Sequence, residues 1–159
     1  MVGGKKRNNV YYLEPQRMAL KGLYFMNLDK IIEISFALSG KRNTTQRCRH
    51  FSFICDRNRI LSIGMNSPKT HPFNLKYNYI NKQKHNIRNI VGTHSELSAV
   101  LKIGAEDCRG LTIINTRINR KNEIDFSRPC NGCMDMINKI GFKRLVYTTK
   151  DQEFEFVDL

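Results

Sequence analysis

Residues 127–133 read SRPCNGC, which places two thiols, Cys130 and Cys133, two residues apart immediately behind Pro129. A redox switch, half of a structural zinc knuckle and a working metal site all favour this spacing, so the surrounding chain has to decide between them. Upstream, LTIINTRI (111–118) is β-branched and strand-like, and downstream residues 130–140 carry Met136, Ile137 and Ile140 at helical spacing before Gly141. FKRLVYTT reads as another strand, and the alternating EFEFVDL reads as a short last one. Nearer the N-terminus, NLDKIIEISFALSGKR repeats Leu28, Ile31, Ile32 and Leu38 at near-helical spacing, with Asp29 in the first turn and Gly40 as a stop. HFSFICDRNRILSIGMN reads as a hairpin turning at DRN, and SELSAVLKIGA as a helix with Leu97, Val100 and Leu101 on one face. The order is helix, hairpin, helix, strand, helix, strand, strand. Strands separated by single helices imply parallel pairing, so an α/β fold follows, with a mixed sheet flanked by helices.

A chain of 159 residues, 40% hydrophobic and 26% charged, suits one globular core. Residues 1–10 read as a flexible basic arm and 11–159 as a single domain. MVGGKKRNNV has no apolar run behind it, so a secretory signal is not expected. IIEISFAL is too short to span a bilayer and is interrupted by Glu33, so no membrane partner is expected. The five cysteines are accordingly expected in a reducing, cytoplasmic compartment (of the host cell, if the chain is viral), where metal binding or burial outranks disulfides. A formal charge of +13 points to a phosphate-bearing partner, nucleic acid or nucleotide, although a solvated basic surface would give the same number. Residues 66–93 form a long segment without periodicity, in which Lys69, Lys76, Lys82, Lys84 and Arg88 alternate with Phe73, Tyr77 and Tyr79.

The thiol pair has no second close pair of Cys or His to complete a zinc knuckle. Cys48, Cys55 and Cys108 stand far apart and read as small buried hydrophobes, and His50, His71 and His85 lack ligand spacing to one another. THSE at 93–96 offers an imidazole, His94, and a carboxylate two positions later, at a helix start. Thr93 with Glu96 also matches S/T-x-x-E, an ordinary capping box, and taken alone the cap is the simpler reading. The combination changes the balance: His94-x-Glu96 followed by Pro129-Cys130-x-x-Cys133 matches the H-x-E…P-C-x-x-C pattern of zinc deaminases. Over roughly residues 28–150 the chain thus resembles the cytidine and deoxycytidylate deaminase superfamily, and NSPKTHP (66–72) resembles its small phage-encoded members.

The resemblance implies a three-layer α/β/α cytidine-deaminase-like fold with about five strands, and a Zn2+ cofactor held by His94, Cys130 and Cys133. It implies that a hydroxide generated at the zinc attacks the amino-bearing carbon of a cytosine base, with Glu96 as catalytic proton shuttle and ammonia as leaving group. By the same analogy the backbone near Ser95 and Ser127 grips the base edge, Pro129 lies among the substrate contacts, and Asn66 meets the sugar, its alternative being a turn residue in MNSP. Two departures stand out. Ser95 occupies a position where alanine is usual, and GMNSP replaces a GYNG-like sequence, which puts allosteric control by nucleoside triphosphates in doubt. Three functions remain open: a deaminase of a free cytosine nucleotide or nucleoside such as dCMP, a deaminase of cytosine or adenine in single-stranded DNA or RNA, and a non-catalytic zinc-stabilised nucleic-acid-binding module. A homo-oligomer is compatible with each.

Overall fold

A computed structural model of the chain describes residues 27–40, 49–76 and 92–159. The basic arm 1–10, Cys48, His85 and the stretch from Tyr77 through Arg88 lie outside the described residues.

The architecture follows from the two-residue alternation of β1 (Arg49–Asp56). Phe51, Phe53 and Cys55 point to one face of the sheet, where they pack with Ile114, Ile118, Val146 and helix α1 (Leu28–Gly40) through Leu28 and Ile31. Ile54 points to the other face, with Ile113, Leu145 and Tyr147. There it meets Leu97, Ala99 and Val100 of helix α3 (Ser95–Ile103) and Met136, Ile137 and Ile140 of helix α4 (Asn131–Ile140). Two cores on opposite faces of one sheet make the three layers expected above. Each fully buried aliphatic or aromatic side chain contributes roughly 1.5–3 kcal/mol.

The sheet runs β2-β1-β3-β4-β5, with β2 at Arg59–Met65, β3 at Thr112–Ile118, β4 at Arg144–Thr148 and β5 at Phe154–Asp158. A single helical turn, α2 (Phe73–Lys76), follows β2. β1 and β2 form the expected antiparallel hairpin, with Arg57 in the left-handed region (φ 53°) and a bulge between Ile54 and Cys55. β3 and β4, separated by α4, pair in parallel from Thr112↔Arg144 onward, as expected. The crossover through α3 behaves differently from expectation. It carries the chain from β2 past β1, so β3 pairs antiparallel with β1, from Arg49↔Ile118 to Cys55↔Thr112. β2 and β3 therefore run the same way without touching, because the hairpin has already filled the site beside β1 on one side only.

Helix α1 also differs from its hydrophobic pattern. Its innermost row is Leu28, Ile31, Ser35 and Ser39, while Ile32 and Leu38 are only partly buried. Ser35 can sit against the sheet because its hydroxyl is satisfied there: Oγ bonds Ile31 O at 2.8 Å and lies 2.7 Å from Thr116 Oγ1. A small satisfied hydroxyl allows closer approach than a leucine would. No helix among the described residues is long and apolar enough to cross a membrane.

One close contact sets the position of α3. A Cβ on Gly64 of β2 would lie 2.0 Å from Ser95 O and 2.3 Å from Ala99 N, so helix backbone rests directly on strand backbone. Ser62 Oγ donates to Ala99 O at 2.9 Å beside it. Gly64→Ala is expected to push α3 off the sheet at a cost of about 1–3 kcal/mol. Thermal denaturation should show a midpoint lowered by roughly 3–10 °C; an unchanged midpoint would contradict the contact.

Candidate metal centre and catalytic site

The sequence clusters THSE and PCNGC both become helix starts. His94 is the N-cap of α3 (φ −71°, ψ 154°) and Cys130 the N-cap of α4 (φ −67°, ψ 166°). The extended conformation of a cap residue turns its side chain back over the open end of the helix. There Cys130 Sγ accepts from the Cys133 N–H at 3.5 Å. His94 Nδ1 stands 3.4 Å from Cys130 Sγ and 3.4 Å from Cys133 Sγ. The three donor atoms lie within 4.8 Å of one another.

These separations fit one tetrahedral ion. Zinc bonds of about 2.3 Å to sulfur and about 2.0–2.1 Å to nitrogen put sulfur and nitrogen about 3.5 Å apart at the tetrahedral angle. Two soft thiols and an imidazole are donors zinc favours, and three protein ligands leave a fourth position, the arrangement of a catalytic site. The local electrostatics agree. The Cys130 thiol is pulled down to about 3, first by its hydrogen bond with Cys133 and then by His94, against the desolvation of burial. His94 is pushed up by its hydrogen bond with Cys130, which outweighs its own burial. Helix N-termini add partial positive charge at the same point.

The capping-box alternative for THSE is not realised. Thr93 lies outside the helix, bridged to Ser67 through Thr93 N→Ser67 O and Ser67 N→Thr93 O, both 2.9 Å. Its Oγ1 donates to Lys69 O at 2.7 Å instead of to the helix. Gly92 precedes it at φ +118°, where a Cβ would strike Ser67 O at 2.5 Å. This stitching places His94 beside Cys130 and Cys133.

Glu96 is buried, at 6% exposure, and both carboxylate oxygens are held. Oε1 accepts from Asn115 Nδ2 at 2.8 Å, and Oε2 accepts from Ser95 Oγ at 3.2 Å. Among the described residues the group that could hold a metal ion is His94, Cys130 and Cys133, with Glu96 outside it.

The remaining expected site residues are placed as follows. Asn66 follows β2 and extends the β1–β2 ladder, its Oδ1 accepting from His50 N at 3.0 Å and its N–H reaching His50 O at 3.3 Å. Ser95 is buried at the first position of α3. Ser127 is buried and tied to two strands: its N–H donates to Thr148 O at 2.9 Å and its Oγ donates to Asn115 O at 2.8 Å. Pro129 is buried directly before the cap residue, and Arg128 beside it is exposed. Cys55 and Cys108 are buried in the two cores, their thiols pushed up to about 12 and about 11 by desolvation. His71 serves locally, its Nδ1 accepting from the Phe73 N–H at 3.2 Å.

Three residues near the centre escaped the sequence reading. His50 faces the same side of β1 as Ser52, and burial, with Arg117 and His94 nearby, pushes its imidazole down to about 4, so it is neutral at physiological pH. Ser52 and Asn115 are fully buried polar residues beside Glu96. For Asn115 a signal existed: an amide at a core-facing position inside the β-branched run LTIINTRI demands a hydrogen-bonding partner.

No protein-family model and no curated protein matches the chain. Among solved structures it is similar to a dCMP deaminase from the cyanophage S-TIM5 in apo form, at 18% identity over 86% of each chain and a TM-score of 0.45. It is also similar to that enzyme in complex with dCMP and dUMP, at 16% identity over 87% of this chain and 85% of the other, with a TM-score of 0.45.

Thiol chemistry tests the centre without any substrate. After chelation, Cys130 should alkylate with iodoacetamide at a rate nearly flat between about pH 5 and 8, because a thiol pulled far below its ordinary value of about 8.5 is already thiolate throughout. Cys55 and Cys108, pushed up, should stay unlabelled in the folded protein. Peptide mapping should also show Cys130 protected by stoichiometric zinc; equal labelling with and without zinc would remove it from the ligand set.

Proposed function

We propose that this chain is a zinc-dependent hydrolytic deaminase that converts the cytosine of a free (deoxy)cytidine nucleotide, such as dCMP, to uracil. The observation that carries the reading is the joint placement of His94 Nδ1 and two cysteine sulfurs within 4.8 Å, with the buried Glu96 two residues after His94.

His94, Cys130 and Cys133 would hold the ion. When bound, zinc acidifies a water to a pKa near 7, supplying a nucleophile at neutral pH. Glu96 would take one water proton and deliver it to the ring nitrogen, then carry the second, from the newly added hydroxyl, to the departing amine; the new C–O bond replaces the C–N bond, and water and cytosine become uracil and ammonia. A purely structural zinc site would not need this buried acid.

Substrate contacts are assigned to groups that border the candidate ligands at this end of the sheet. The first N–H groups of α3, beginning at Ser95, have no partner within the helix and suit the base carbonyl. The N–H and hydroxyl of Ser127 are engaged, and its carbonyl, 3.4 Å from Asn115 Nδ2, keeps a second lone pair to accept from the base amine, with Pro129 packing alongside. Asn66, at the same end of the sheet, is assigned to the sugar. The described residues are near charge balance, sixteen Lys and Arg against thirteen Asp and Glu, whereas residues 1–26, 41–48 and 77–91 carry eleven against one. A scaffold so nearly neutral suits a mononucleotide. The basic segments are the feature that favours the second reading, a deaminase of single-stranded nucleic acid. The protein is taken to act in the cytoplasm.

The test is a product assay of zinc-loaded protein for uracil and ammonia, with dCMP, cytidine and a cytosine-bearing oligonucleotide in parallel. Turnover of dCMP is expected, and turnover of the oligonucleotide alone would establish the second reading instead. Glu96→Gln should retain one zinc per chain and lose activity by ~10²–10⁴-fold. Survival of both zinc and activity would overturn the role given to Glu96, and no turnover of any substrate by the zinc-loaded wild type would leave the non-catalytic binding module.

A further inference from the structure

Around Glu96 the side chains close a ring. Asn115 Nδ2 donates to Glu96 Oε1 at 2.8 Å, and Ser95 Oγ donates to Glu96 Oε2 at 3.2 Å. The two arms meet at Ser52, whose Oγ lies 2.8 Å from Asn115 Oδ1 and 2.8 Å from Ser95 Oγ, its single hydroxyl proton serving one of them at a time. The four residues come from β1, β3 and the first turn of α3, and all are buried: Ser52 at 0%, Asn115 and Ser95 at 2%, Glu96 at 6%.

We infer that Ser52 and Asn115 are positioning residues, which with Ser95 clamp the Glu96 carboxylate in one orientation beside the metal ligands. The inference rests on the deaminase reading. Asn115 has two ends, and the ring uses both. Its amide nitrogen lies between two acceptors, Glu96 Oε1 and Ser127 O at 3.4 Å, while its oxygen faces the Ser52 hydroxyl. A flipped amide would set oxygen against the carboxylate and leave the Ser52 proton without that acceptor, so one orientation is selected. A carboxylate gripped at both oxygens cannot rotate about its terminal bond, yet each oxygen keeps a lone pair for the reacting water. The serine at position 95 acquires a reason here: with alanine the ring would open between Ser52 and Glu96.

Positioning has a kinetic signature that general destabilisation lacks. In zinc-loaded enzyme, Asn115→Ala should lower kcat by ~10²-fold, the scale of an ångström-sized misplacement, with KM changed less than twofold and one zinc per chain retained. Ser52→Ala and Ser95→Ala should each lower kcat by roughly tenfold in the same way, and they carry the test if the asparagine variant does not fold. Because the ring acts as a unit, Ser52→Ala in the Asn115→Ala background should cost little more. Multiplying losses, a kcat within twofold of wild type, or loss of zinc in step with kcat would overturn the clamp. An NMR readout keeps it separate from the deaminase reading: the Glu96-facing Nδ2 proton of Asn115 should shift on Ser52→Ala. If no cytosine substrate is turned over, that reading fails while the shift still reports the ring; an unmoved resonance overturns the ring whatever the activity.

Discussion

Two helices begin at the same point above one sheet, and the chemistry depends on that meeting. Each contributes a cap residue in extended conformation, His94 and Cys130, and the Cys130 sulfur also accepts from the Cys133 N–H at the open helix end. The second thiol enters from the first turn of α4. Bringing three such donors together would be costly if each had to be ordered separately. Here the sheet bears that cost: α4 is fixed by the parallel β3–β4 pair it connects, and α3 by its backbone contact with Gly64. The partial positive charge at both helix ends then favours the thiolate form a metal requires.

The same geometry explains why a carboxylate can be buried beside the centre. An ionised acid out of water needs hydrogen bonds at its oxygens. Asn115 and Ser95 supply them, and Ser52 joins the two donors. β1 and β3 are neighbours, so Ser52 and Asn115 sit directly opposite one another in the ladder, on the face covered by α3. The antiparallel β1–β3 pairing thus serves the site as well as the fold. Had β3 paired with β2, as a simple crossover would suggest, this polar ring could not have formed.

The elements themselves were largely legible. Alternation of Phe51, Phe53 and Cys55 marked a strand, which the structure buries on both faces, and Met136, Ile137 and Ile140 before Gly141 marked a helix and its stop, which the structure closes with Gly141 in the left-handed conformation. Misreadings arose where small polar residues do the packing. Ser35 and Ser39 line the inner row of α1, and periodicity of large apolar residues assigned that role to Ile32 and Leu38 instead. The motif combination rightly outweighed the capping-box spacing of Thr93 and Glu96, since both side chains are engaged by partners distant in sequence, Lys69 and Asn115.

Local order along the chain determined the strands, the helices and the His-x-Glu and Pro-Cys-x-x-Cys clusters, because periodicity, caps and ligand spacing are properties of neighbouring residues. Strand order, the neutral His50 and the ring around Glu96 were decided only by the tertiary structure. Each joins residues tens of positions apart, and nothing in a linear pattern says which buried donor will face which buried acceptor until the sheet register brings them within 3 Å or so.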